Sequence, residues 1–201
     1  MKFLELNKKR HAIKHFTDQP VDPKDVRTAI EIATLAPSVH NSQPWKFVVV
    51  RQKNAELAKV AYGGNYDQVM EAPVTIALFT DTDLQRRARK IARVGGVKNF
   101  TDEKLQYYMQ NLPAEYARYN EQQISDYLAL NAGLVAMNLV LALTDQGIGS
   151  NIILGFDKSK VNEVLEIEER FRPELLITVG YAAEKVEPSY RLPVDEIIEK
   201  R

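Results

Sequence analysis

The chain has 201 residues and a mass of 22.9 kDa, enough for one domain with a sizeable core, and 45% apolar with 27% charged residues is ordinary globular composition. Twenty-seven Lys and Arg balance 27 Asp and Glu, so no global field draws the protein to nucleic acid or to an anionic membrane. The absence of cysteine excludes disulfides, thiolate nucleophiles, zinc ribbons and iron–sulfur clusters, and three histidines (His11, His15, His40) leave little material for imidazole or metal chemistry.

Residues 2–16 place Phe3, Leu6, Arg10 and Ile13 at helical spacing, which predicts a helix broken at Thr17-Asp18-Gln19-Pro20. The first ten residues hold no apolar stretch of signal-peptide length, so a cytoplasmic address is expected. Asp22-Pro23 reads as an N-cap with proline at the first helical position. Val26, Ile30, Ala33 and Leu35 supply the stripe of that second helix before Pro37 ends it. Trp45–Val50 and Val74–Phe79 are rich in β-branched and aromatic residues and read as strands. A short helix over Asn54–Ala61 is expected between them, closing at Gly63-Gly64.

From 83 to 123 the chain turns polar, with a basic run (Arg86, Arg87, Arg89, Lys90, Arg93) and then Tyr107, Tyr108, Tyr116 and Tyr119. This is the expected helical excursion from a single domain spanning 1–201, either as amphipathic helices over a surface or as a lid. Its tyrosines read as lid contacts or as simple packing. The basic run reads as the wet face of a helix, not a nucleic-acid site. Tyr127–Thr144 runs eighteen residues without a charge, the lower edge for spanning a bilayer, but Asn131, Gly133 and Asn138 interrupt it. The expectation is a buried helix over 125–146 and no membrane span. Apolar residues on all its faces imply burial on all sides, which in a chain this size points to a dimer interface. Asn151–Leu154 and Leu175–Gly180 complete the strands, with a helix at Ser159–Leu165 between them.

No GxxxxGK[ST] loop is present, Gly147, Gly149 and Gly155 have the wrong spacing and context for a dinucleotide fingerprint, and no GxSxG elbow occurs. His11 and His15 would share one side of a helix, but no HExxH surrounds them and no metal is expected. What remains is a set of cations and amides. Arg10, His11 and Lys14 fall within five residues, with Arg10 and Lys14 on one face of the predicted helix. The loop Pro37-Ser38-Val39-His40-Asn41-Ser42-Gln43-Pro44 packs hydroxyls and amides between prolines, a directional template suited to a flat heterocycle edged with carbonyls and ring nitrogens. Arg191 adds a cation near the C-terminus.

Taken in order, Arg10–Phe16, Leu35–Ser38, Asn41–Trp45, Gly155-Phe156, Val179–Tyr181 and Arg191–Pro193 resemble the FMN-dependent nitroreductase family across nearly the whole chain. The resemblance implies an α+β fold, with a central mixed or antiparallel β-sheet flanked by helices, in an obligate homodimer with two active sites at the subunit interface. It implies FMN as cofactor, with Arg10 and Arg191 on the phosphate, His11 (beside Ala12) near the ribityl-phosphate region and Lys14 toward the pyrimidine edge. Pro37, Ser38, Asn41 and Gln43 would come from the partner's loop, Asn65 would contact the flavin, and the backbone of Ile153, Leu154 and Gly155 would lie near N5. Ala12 departs from a common serine, Leu154 from an acidic residue and Ser189 from a second phosphate-facing lysine, which implies weaker phosphate binding and a more apolar pocket edge.

Charged hydrogen bonds to a phosphate contribute about 1.5–3 kcal/mol each, so two arginines could supply much of a submicromolar affinity. A cation about 4 Å from the reduced ring, at an effective dielectric of 20, would favour it by up to roughly 4 kcal/mol. For a two-electron couple this is on the order of 90 mV, which makes Lys14 a tuner of potential rather than an acid or base. Hydride transfer needs stacking and distance more than a titrating side chain, so no side chain is expected to be catalytic. The expected activity is ping-pong transfer from NADH or NADPH to nitroaromatics, quinones or related small electron-poor acceptors. Alternatives are an FMN storage or regulatory protein, a histidine-metal hydrolase and a helical dimerisation module without cofactor.

Overall fold

The computed structural model describes residues 2–52, 54–97 and 100–201. At its centre four antiparallel strands stand in the order β1-β2-β4-β3: β1 is Trp45–Val50, β2 Val74–Asp81, β3 Gly149–Ile153 and β4 Phe171–Gly180. All ladders are antiparallel, which settles the sheet type left open by the resemblance. Every residue of β2 is buried, so this strand has both faces covered and reads as a continuous run instead of an alternating one.

Side chains alternate across the sheet and so sort the core into two layers. Ile76, Leu78, Ile177 and Val179 face α2 (Pro23–Ala33) and α8 (Glu121–Asp145), meeting Val26, Ala29, Ala33, Val135, Leu139 and Leu143. Ala77, Phe79 and Leu176 face α3 (Asn54–Ala58), α4 (Asn65–Glu71) and α9 (Lys158–Leu165), meeting Leu57, Val69 and Val161. The proline at 173 hides the start of β4 in the sequence, where only 175–180 read as a strand. It is tolerated because a bulge between Leu78 and Phe79 of β2 skips Glu174 of β4.

Asp22 caps α2 by accepting from the Lys24 N–H at 2.7 Å, with Pro23 at the first helical position as expected. Its buried stripe is Val26, Ala29 and Ala33, whereas Leu35 lies beyond the helix end and is exposed. The first helix is shorter than the periodicity predicted. α1 covers Phe3–Lys9, and Arg10 is already extended at φ −69, ψ 117. Residues 10–16 run beside the outer edge of β3 instead, the Ile13 N–H donating to Ser150 O at 3.0 Å and Ala12 bridging Ser150 in parallel. Ile13 and Phe16, three apart, imitate a helical stripe, but each seats over a glycine: a Cβ on Gly149 would lie 2.7 Å from Ile13 Cγ1, and one on Gly180 2.7 Å from Phe16 Cδ1.

α3 ends at Ala58, before the expected Ala61, which bridges Phe156. Gly63-Gly64 then does more than end a helix, since Gly64 is the N-cap of α4, an element the sequence reading lacks. α8 begins earlier than expected, at a capping box in which Asn120 and Gln123 satisfy each other's backbone N–H. Its burial is not complete on all sides. Leu130, Leu134 and Met137 form an exposed stripe at helical spacing, while two thirds of its apolar window (67%) is buried inside the chain.

The excursion is four helical pieces: α5 (Leu84–Val97), α6 (Asp102–Gln106), a π-helical turn (Tyr107–Asn111) and α7 (Leu112–Tyr116), with residues 98 and 99 outside the described set. These pieces do not merely lie over a surface. Leu84, Ala88, Ala92, Tyr108, Leu112 and Tyr116 build their own core against Tyr127 and Leu128 of α8.

Candidate functional site

Opposite ends of the chain meet beside α1. A bridge between Phe16 and Ala182, and the Ala183 N–H donating to His15 O at 3.0 Å, tie the tail after β4 to the extended segment. Val186 packs on Ile13, Phe16 and Ala72. The tail then passes α1 and leaves a groove of about 400 Å³ lined by Asn7, Lys8, Arg10, His11, Pro188, Ser189 and Arg191. Arg10, His11 and Arg191 thus share one wall system that contains cations and no carboxylate residue. Among the described residues Arg191 donates only to backbone, Tyr190 O at 2.8 Å and Ser189 O at 3.3 Å, and so retains its charge for another partner. Lys8 belongs to the same groove and was missed in the sequence, where it looks like one more surface lysine of α1. Arg10 and Lys14 do not share a helix face, because the helix has ended at Lys9.

A second group gathers at the C-terminal end of β3. Parallel pairing at Ala12 carries the exposed Lys14 toward that end, and His15 Nδ1 lies 3.2 Å from Glu71 at the close of α4. From α4, the Asn65 amide donates to Gly155 O at 3.0 Å, and the Tyr62 N–H donates to the same oxygen at 2.8 Å. The Asn151 amide donates to Gln68 Oε1 at 2.6 Å, and Gln68 donates to Gly64 O at 3.2 Å and reaches Asn65 Oδ1 at 3.5 Å. Ile153 is buried in the core and presents only backbone, whereas Leu154 is 67% exposed. Gln68 and Asn151 were invisible without α4, since Asn65 and Gln68 become neighbours only at helical spacing.

The loop after α2 is a third, separate piece. It contacts the excursion and α8, and none of its residues lines the cation groove. His40, Asn41 and Gln43 all have left-handed backbone (φ 52, 49 and 45). The Ser38 hydroxyl accepts from the Gln43 N–H at 3.0 Å, and the Gln43 amide donates to Asn41 O and Oδ1, both at 3.2 Å. Pro37 is exposed at the start of the loop. Beneath it lies a hydroxyl cluster that sequence reasoning did not assemble. Tyr127 OH donates to Val39 O at 2.7 Å and takes hydrogen bonds from Ser42 Oγ and Tyr116 OH, both at 2.8 Å, while His40 Nδ1 lies 3.2 Å from Tyr116 OH. Burial pushes the Tyr116 hydroxyl well above the usual phenol range and raises that of Tyr127, so both are neutral donors. Tyr108 and Tyr116 are buried and pack, which removes them as lid contacts.

The three histidines have three different surroundings (the groove, Glu71 and Tyr116), and no group of three or more His, Cys, Asp or Glu able to hold a metal occurs among the described residues. A groove of about 570 Å³ between α2 and the free edge of β1 is larger but mostly apolar, and its Arg27 is paired with Glu31 and its Arg51 with Val21 O.

An antiparallel sheet between two helical layers, with a cation-lined groove beside α1 and an amide cluster at the end of an edge strand, defines an α+β protein. The sequence pattern described as the nitroreductase family matches residues 8–181. A Streptococcus pyogenes protein provisionally named NAD(P)H nitroreductase Spy0809 is 68% identical over 201 residues, covering 100% of both chains. The crystal structure of a nitroreductase family protein from Streptococcus pneumoniae TIGR4 superposes with a TM-score of 0.97 at 86% identity, over 100% of both chains. A protein of Exiguobacterium sibiricum, provisionally a nitroreductase and solved in complex with FMN, gives a TM-score of 0.90 at 27% identity, covering 100% of this chain and 98% of that one. The chain belongs to the nitroreductase family.

Proposed function

We propose that this protein is an FMN-dependent oxidoreductase that passes hydride from NADH or NADPH to nitroaromatics, quinones or related electron-poor small molecules, donor and acceptor using one cleft in turn. The observation that carries this reading is the convergence of Arg10, His11 and Arg191, from opposite ends of the chain, on one groove without a carboxylate. That donor set suits a phosphate, since charge-assisted hydrogen bonds from two guanidinium groups outweigh what neutral donors supply. The residues present therefore fit FMN, which when bound supplies hydride acceptance and donation.

The chain's own groups hold and orient. Arg10, Arg191 and His11 bind the anionic tail, beside Lys8, whose ammonium is paired with Glu5 at 3.3 Å. Lys14 lies toward the end of β3 and sets the charge at the ring's edge. Asn65, held against Gly155 O, and the backbone of Ile153, Leu154 and Gly155 line the ring, and Leu154 gives that edge an apolar side.

Because Ser38, Asn41 and Gln43 stand apart from the cation groove, they serve the site of a second copy in a homodimer. Exposed Leu130, Leu134 and Met137 of α8 support the dimer: Asn138 donates to Ile32 O at 3.2 Å, so this stripe adjoins exposed Ile32 and Leu35. A cytoplasmic address belongs to the same reading. The test is direct. Purified protein should be yellow and release FMN on denaturation, and NADH or NADPH should bleach it in stopped flow. A colourless protein that takes up no FMN overturns the reading, and a yellow one that neither nucleotide bleaches leaves a carrier instead of an enzyme.

A further inference from the structure

Three left-handed residues in a four-residue span are a conformation that non-glycine side chains disfavour, and it persists only where the surroundings over-determine it. Here the surroundings are specific. The carbonyls of Val39, His40, Ser42 and Gln43 each take a hydrogen bond from a side chain below the loop. Tyr127 OH reaches Val39 O at 2.7 Å and Tyr108 OH reaches His40 O at 2.7 Å. The Arg87 guanidinium reaches Ser42 O at 3.3 Å and also Gln43 O. The Val39 N–H donates in turn to Asn131 Oδ1 at 2.9 Å. The donors stand on α5, the π-helical turn and α8, so the excursion and the long helix grip one short loop between them. The π-helical turn sets Tyr107 and Tyr108 edge to face, ring centres 5.4 Å apart, with Tyr108 buried and Tyr107 at the surface.

We infer that Arg87, Tyr108 and Tyr127 are positioning residues: acting through the backbone of residues 39–43, they preset Ser38, Asn41 and Gln43 for the cofactor, and the excursion is a fixed clamp on this loop. The inference rests on the FMN reading above and goes beyond it by assigning a role to the 83–123 segment. Presetting removes the ordering cost that a free loop would impose at binding, so releasing the clamp weakens cofactor affinity without removing any group that touches the cofactor.

The experiment measures FMN affinity of the apo-protein by fluorescence quenching, together with visible circular dichroism of the bound flavin, for wild type and four variants. Tyr108→Phe deletes one hydroxyl and keeps the ring that packs on Phe100. Arg87→Met removes the guanidinium, and Arg87→Lys keeps the charge. Tyr119→Phe is the control, because its hydroxyl reaches Glu115 at 3.2 Å and not the loop. Tyr108→Phe and Arg87→Met should each raise the FMN dissociation constant about fivefold to fiftyfold and change the flavin dichroism, with partial rescue in Arg87→Lys and wild-type behaviour in Tyr119→Phe. Wild-type affinity and dichroism in Tyr108→Phe overturn the clamp, as does an equal loss in Tyr119→Phe. A wild-type protein that takes up no FMN overturns both this inference and the function it rests on, whereas normal wild-type uptake with unaltered variants overturns the clamp alone.

Discussion

The side-chain amide of Asn65 donates to the carbonyl oxygen of Gly155 at 3.0 Å, and a side chain at 155 would have to displace it: an added Cβ would stand 2.6 Å from Asn65 Nδ2. Gly155→Ala should therefore displace Asn65, weaken FMN binding about tenfold and lower the melting temperature. Truncating the obstructing partner relieves the clash, so the double change Gly155→Ala/Asn65→Ala should cost less than the sum of the single changes, with a coupling of about 1 kcal/mol. Additive losses in denaturant titrations and FMN titrations would show that the contact does not organise this end of β3.

Arg10→Ala and Arg191→Ala should each weaken FMN by roughly tenfold to a hundredfold, the range expected for one charged hydrogen bond to a phosphate. Riboflavin, which has the ring and no phosphate, provides the contrast. Its affinity should be unchanged by either substitution. Equal losses for FMN and riboflavin in calorimetric titrations would place these arginines somewhere other than the phosphate.

Lys14→Ala should lower the two-electron midpoint potential, because a cation near the reduced ring favours its negative charge. Full Coulombic strength would give on the order of 90 mV. Lys14 is exposed in the single chain, so solvent screening should reduce the shift to some tens of millivolts. Equilibration with a reference dye measures it, and an unchanged potential removes Lys14 from the ring's edge.

Much of this architecture was legible because local signals and tertiary packing agree. Asp22-Pro23 begins α2 by chemistry that needs no partner, and Trp45–Val50 is a strand by side-chain type alone. The N-terminal segment misled because Ile13 continues the helical spacing of Phe3, Leu6 and Arg10, whereas Ile13 and Phe16 answer to two glycines, Gly149 and Gly180, far along the chain. α4 was hidden for a related reason: Gly63-Gly64 reads as a stop, and only the core that receives Val69 makes it also a start. The cations Arg10 and Arg191 stood out by residue type and drew their phosphate role from the resemblance, and their meeting is visible only once the tail is seen tied to residues 15–16. Arg87, Tyr108 and Tyr127 carried no usable signal. They look like a basic helix and scattered aromatics until the loop they hold is in place.

Asp157 caps α9 by accepting from the Ser159 N–H at 3.1 Å and Ser159 Oγ at 2.6 Å, and the Ser159 hydrogen bonds hold its carboxyl below the usual carboxylate range. A group whose pKa is depressed on folding stabilises the fold above its unfolded value, about 4, and loses that contribution as the pH falls through the lower native value. Wild type should therefore lose stability below about pH 4 more steeply than Asp157→Asn, which keeps an acceptor and cannot titrate. Parallel urea curves for the two proteins from pH 5 to pH 3 would contradict this.

Leu134 and Met137 are exposed on the one long helix whose other faces are packed, and they adjoin Ile32 and Leu35. Placing a lysine at either position in a buried interface would strand a charge in an apolar contact, a cost of several kcal/mol. If α8 forms the proposed dimer interface, Leu134→Lys and Met137→Lys should sediment as monomers at concentrations where wild type self-associates. The same variants should also lose FMN, although neither side chain lines the groove of Arg10 and Arg191, because on the proposed dimer each site would lack the partner's Ser38, Asn41 and Gln43. The two readouts need to move together. Monomers that keep wild-type FMN affinity would mean that one chain completes the site alone and that the loop serves some other end, whereas unaltered dimers would direct the search for the interface to the exposed apolar residues of the tail, Leu192, Val194, Ile197 and Ile198.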